Sequence, residues 1–90
     1  MSYLIFCRDN KNSFELRKKN RDSHLEYLEI FRHKILSAGP ILDDSNNPIG
    51  SCIIIDLKNK KELDDFTKND PYYKAGLFRN IEVLNFKKVF

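Results

Sequence analysis

Two runs, SYLIFCR (residues 2–8) and IGSCIIIDL (residues 49–57), are apolar on both of their alternating faces. In the first, Tyr3, Ile5 and Cys7 alternate with Leu4 and Phe6; in the second, Ile49, Ser51, Ile53, Ile55 and Leu57 alternate with Gly50, Cys52 and Ile54. A two-residue period rich in β-branched and aromatic side chains reads as strand, and a strand that wants both faces inside is a central one. A chain of 90 residues hides only about 60 to 65% of its unfolded surface. Helices on one face of the sheet leave the other bare, so a second copy of the chain is the expected cover, giving a homodimer through the open sheet face.

Between and after these runs the pattern changes. Asp9 to Asn12 form a polar turn, with Ser13 as N-cap of a helix opening FELRKK. Apolar spacing carries that helix to about Ser37, where Ala38-Gly39-Pro40 supplies a C-cap glycine and a proline that cannot continue it. Lys18 to Ser23 are all polar, so the helix either runs through them or restarts near Asp22. Asp43 to Pro48 is a turn between strands. Lys60 to Lys68 is an amphipathic helix with Leu63 and Phe66 inward, and Asp70-Pro71 starts a short helix ending at Gly76. Phe78 to Phe86 is a last strand. Strand, helix, hairpin, helix, strand is the split βαβ order: an α+β, ferredoxin-like single domain over residues 1–90.

The long helix poses a chemical problem. Arg17, Arg21, His24, Leu28, Phe31 and Ile35 follow steps of four and three, so they share one face. Its second half suits a core, but its first half carries two guanidiniums and an imidazole. Buried unpaired, such charges cost several kcal/mol. Either the first turns overhang the sheet and their charges rim a cleft, or they swing into solvent. His33, nine residues on from His24, is rotated by about 900° to the opposite face, and no Glu or Cys stands at ligand spacing, so no metal site is expected. Asp70 is both a cap and a candidate partner for His24. A carboxylate on one ring nitrogen raises the basicity of the other.

Composition excludes several classes. With 41% hydrophobic and 32% charged residues, the chain is neither disordered nor membrane-embedded, and no apolar run approaches the roughly 20 residues of a membrane span. The apolar YLIF is cut short by Arg8 and Asp9, so it is no signal peptide; a cytoplasmic location is expected. Cys7 and Cys52 lie in strand-like runs and read as buried hydrophobes. A net charge of +3 with scattered lysines is no nucleic-acid footprint, and IGSCIIID lacks the aromatic signature of the RNA-recognition fold.

The order and spacing of SYLIFCRD, LRKKNRDSHLEYL, SAGPIL, IGS, NDPYYKAGLF and VLNFKKVF resemble the YciI-like (YCII-related) family over almost the whole length. The departure is Asp22, where relatives usually have proline. The resemblance implies a subunit that pairs through its sheet into a dimeric α/β barrel. It also implies His24 and Asp70 as an active-site dyad, with Arg17, Arg21 and Ser51 around the same cleft. Most members have no established activity, although relatives act on small cyclic compounds, including removal of hydrogen chloride from a chlorinated hydroxyquinol. The expected function is thus a His-Asp acid–base lyase or isomerase without metal or cofactor. It would act on a small polar or anionic molecule held by Arg17, Arg21, Ser51 and Tyr72. The alternative is a dimer that binds a small anion unchanged. A His24–Asp70 separation of about 2.6–3.2 Å fits the dyad, and a gap too wide for one bridging water removes it.

Overall fold

The computed structural model describes residues Met1–Phe90. Strand β1 (Ser2–Asp9) leads into helix α1 (Phe14–Ile30) and a 3₁₀ turn at Arg32–Lys34. Strands β2 (Ile35–Leu42) and β3 (Pro48–Asp56) follow as a hairpin, then α2 (Lys60–Asn69), α3 (Pro71–Lys74) and β4 (Phe78–Phe86). The sheet order is β2-β3-β1-β4 with every neighbour antiparallel, the expected ferredoxin-like α+β arrangement. The two runs that are apolar on both faces are its two inner strands.

On one face Tyr3, Ile5, Cys7, Ile53 and Ile55 form the core with Leu57 and with Leu63 and Phe66 of α2. Tyr27, Leu28 and Phe31 pack against it from the α1 side. Each such aliphatic or aromatic side chain removed from water contributes about 1.5–3 kcal/mol. The Tyr27 hydroxyl donates to the Phe66 carbonyl at 2.8 Å, fixing α1 against α2. Gly50 sits opposite Arg8, where β1 and β3 approach so closely that a Cβ would collide with the Cys7 carbonyl oxygen; only glycine fits there.

The other face has no helix on it. Leu4 lies between Ile54 and Leu84, and Phe6 between Cys52 and Glu82. Leu4, Phe6, Cys52 and Ile54 are half-buried, while Leu84 is 48% exposed. No helix of the chain is long and apolar enough to cross a membrane.

Three expectations are corrected and one open alternative is decided. The long helix stops at Ile30, not near Ser37, and SAGPIL is strand: Ala38, Gly39 and Pro40 pair with Ile53, Cys52 and Ser51. Gly39 is therefore no C-cap, and Pro40 is tolerated because β2 is an edge strand, where a missing N–H costs little. Pairing with β3 outcompetes the local helical spacing of Phe31 and Ile35. His33 consequently lies exposed in the 3₁₀ turn, off the helix on which it was placed. Of the two courses left open near Asp22 the helix takes the continuous one; Asn20 donates back to the Leu16 carbonyl at 2.9 Å, while the helix continues past it. Ser13 occupies the N-cap position but makes no capping bond, its hydroxyl reaching the Lys11 carbonyl at 3.4 Å instead.

Candidate functional site

Helical spacing sets Arg17, Arg21 and His24 on one side of α1. The structure buries Arg17 and His24 to 6% and 7% exposure and leaves Arg21 exposed at the mouth of a cleft. Buried polar groups of this kind require partners, and each has one.

Asp70 links α2 to α3 with extended backbone, closing one helix and capping the next. Pro71 has no N–H, so the first amide available is that of Tyr72, and it donates to Asp70 Oδ1 at 2.9 Å. The same oxygen lies 2.8 Å from His24 Nδ1. Cap and histidine partner are thus one residue in both roles. An ionised carboxylate only accepts, so against ionised Asp70 the shared proton sits on Nδ1, and in the neutral ring Nε2 keeps its lone pair. Every fully buried side-chain nitrogen and oxygen in the chain has a hydrogen-bond partner. His24 Nε2 has none within the chain, so it is open to solvent in the cleft.

Tyr72 follows Asp70 by two residues, so the capping turn that fixes the carboxylate also fixes the phenol ring. That ring stacks on the imidazole with centroids 3.9 Å apart at 14°. The Arg17 guanidinium carbon lies 4.7 Å from the centre of the same ring. Burial pushes the Tyr72 phenol above its ordinary range, against the opposing pull of Arg17 and Arg21. Tyr72 is accordingly a neutral O–H donor near pH 7.

Arg17 Nε donates to Asp9 Oδ2 at 2.7 Å and Nη2 to Asp9 Oδ1 at 2.9 Å. Nη2 also donates to Ser51 Oγ at 2.8 Å, joining α1 to β3. Burial alone would lower the pKa of Arg17, but its hydrogen bond to Asp9 and the Asp9 charge more than compensate and raise it.

These groups face a cleft of about 330 Å³. Arg17, Arg21, His24, Ser51 and Tyr72 line it with apolar walls from Phe14, Leu25, Leu28, Pro40 and Pro48, and no carboxylate reaches its surface. All six residues singled out in the sequence meet here, with Asp70 behind His24. Asp9, read in the sequence as part of a polar turn, was missed. Its signal was faint: a carboxylate ending a strand, eight residues before an arginine on the inward seam. No three His, Cys, Asp or Glu side chains converge anywhere in the chain.

The model of the YCII-related domain matches residues 1–87. An uncharacterized protein of Haemophilus influenzae is 36% identical and protein YciI of Escherichia coli 34%, each alignment covering 100% of both chains. The solved structure of 5-chloro-2-hydroxyhydroquinone dehydrochlorinase (TftG) from Burkholderia phenoliruptrix AC1100, in complex with 2,5-dihydroxybenzoquinone, is 36% identical. It superposes with a TM-score of 0.91, covering 97% of this chain and 94% of that one.

Proposed function

Because the chain belongs to the YCII-related domain family, we propose that it is an acid–base enzyme of lyase or isomerase type that works on one small polar ring or carbonyl compound. His24 moves the proton through Nε2, Asp70 holds the ring and its charge, and Arg17, Ser51 and Tyr72 donate to the oxygen that becomes anionic. Arg21, exposed at the mouth, draws an anionic substrate in. The observation that carries this reading is the 2.8 Å bond from His24 Nδ1 to Asp70, with Nε2 open to the cleft. A positioned acid–base group typically contributes about 10² to 10⁴ in rate, and fixed donors at a developing oxyanion about 10² to 10³. The cleft admits a single substituted ring rather than a polymer. Loss of hydrogen chloride from a chlorinated hydroxyquinol needs only proton movements and a departing chloride, which side chains alone can serve.

The test is incubation with 5-chloro-2-hydroxyhydroquinone, following chloride release, and with 2,5-dihydroxybenzoquinone in D₂O, following deuterium at ring carbon. Release or enzyme-dependent exchange supports the proposal. Tight binding with neither turns the cleft into a site that holds a small anion unchanged.

We further propose that the chain acts in the cytoplasm as a single domain and as a homodimer joined through the open face. Leu4, Phe6, Ile54 and Leu84 there form a continuous apolar surface that water would otherwise wet. Sedimentation should give twice the chain mass at micromolar concentration, and Leu84→Glu, at a position already 48% exposed, should give the single chain with its melting transition intact. A variant that sediments like the parent would place the interface elsewhere.

A further inference from the structure

Arg17 reaches the cleft with most of its donors already engaged. Nε and Nη2 are held side-on by Asp9, whose side chain is only 6% exposed, and Nη2 also gives a proton to Ser51. Nη1 alone makes no bond to Asp9 or Ser51, so beside the Tyr72 ring it is the nitrogen left for a cleft occupant. A guanidinium has donors and no acceptor. Across the Arg17–Ser51 contact the serine oxygen is therefore the acceptor, with no tautomer to choose. Ser51 Oγ makes no other hydrogen bond in the chain, although the residue is 3% exposed and lines the cleft. Its own proton thus has only a cleft occupant, or water there, to go to.

The Asp9 charge also offsets that of Arg17. Among the cations lining the cleft, Lys18 and Arg21 carry no carboxylate within ion-pair distance, and both are exposed at its rim. At depth, then, an oxygen is recognised by the direction of two hydrogen bonds rather than by surplus charge.

We propose that Asp9 is a positioning residue of this cleft: by clamping Nε and Nη2 of Arg17 it turns Ser51 into a donor and presents Arg17 Nη1 beside it, a paired cradle for one carbonyl or enolate oxygen of the substrate. This rests on the reading of the cleft as a binding site for such a compound. β1 ends at Asp9, where its pairing with β4 slips between Arg8 and Asp9, so the carboxylate comes from a bend in the central strand rather than from a mobile loop. Without the clamp the long arginine regains its rotamers, and Ser51 loses the contact that dictates which way its proton points.

Double substitution separates this role from mere structure. With 2,5-dihydroxybenzoquinone as titrant, Ser51→Ala should weaken binding about tenfold in the otherwise unaltered protein, the size of one well-made hydrogen bond. Asp9→Asn should weaken it by about the same factor. In the Asp9→Asn background, Ser51→Ala should then cost about twofold or less. A full tenfold penalty for Ser51→Ala in both backgrounds overturns the proposal while leaving the binding reading intact. Absence of binding by the parent protein overturns both. If Asp9→Asn does not fold, Arg17→Lys serves instead: a lysine cannot hold Asp9 side-on and reach Ser51 as well, so the same loss of Ser51 dependence is expected, and its retention counts against the clamp.

Discussion

Replacing His24 with alanine should lower turnover of a substrate by about 10² to 10⁴, with a much smaller change in binding, because the ring supplies the base rather than the main contacts. Asp70→Asn should do less. The single oxygen that serves both His24 and the Tyr72 amide has an equivalent in an asparagine side chain, so orientation survives while the charge is lost. Hydrogen bonds to a charged group contribute roughly 1.5–3 kcal/mol against 0.5–1.5 for neutral ones, so the difference corresponds to about tenfold in rate. The ranking is the informative part: His24→Ala far below Asp70→Asn, and both below the parent. Single-turnover rates with 5-chloro-2-hydroxyhydroquinone check it, and equal rates in all three proteins would remove the dyad from the chemistry. His24→Gln is a useful companion, since it keeps bulk against Tyr72 without an imidazole base.

The second large effect is on stability. Arg17→Met should cost about 3–5 kcal/mol, because it leaves the Asp9 carboxylate buried with its countercharge gone. In a domain of this size each kcal/mol lowers the melting temperature by roughly 4–8 °C, so a fall of more than about 10 °C is expected. The double variant Arg17→Met, Asp9→Leu should recover much of that loss, since a dry apolar pair replaces a dry ion pair without a stranded charge. Denaturant unfolding of the parent, single and double variants measures this directly. A single-variant loss below about 1 kcal/mol would mean the pair behaves as a surface ion pair and that water enters beside Asp9.

Much of the architecture could be read from local pattern. The inner strands announce themselves by having no polar face, and α2 by placing Leu63 and Phe66 one turn apart on its buried side. Asp70-Pro71 and Gly76, with φ of 73°, punctuate α3 as such residues do. Residues 31–42 resisted because their fate is decided at a distance. Phe31 and Ile35 continue a helical seam, no breaker precedes Gly39, and only the unpaired edge of β3 makes strand the better choice. The site divides in the same way. The charges on one face of α1 left a choice between a cleft and solvent, and the helix cap singled out Asp70. That the cap oxygen would also meet His24 depends on how α1 lies against α3, which local pattern does not encode. Asp9 escaped because its partner lies across a turn on another element.

The central claim is that Asp70 holds the proton of His24 on Nδ1 and leaves Nε2 as a base facing the cleft. Two-bond ¹⁵N–¹H correlation spectra of the imidazole in the neutral ring measure this directly. The account predicts a protonated Nδ1 and a lone-pair Nε2, with Nε2 shifting when 2,5-dihydroxybenzoquinone is added. A neutral ring protonated at Nε2, or one whose tautomer is unchanged between the parent and Asp70→Ala, would contradict it.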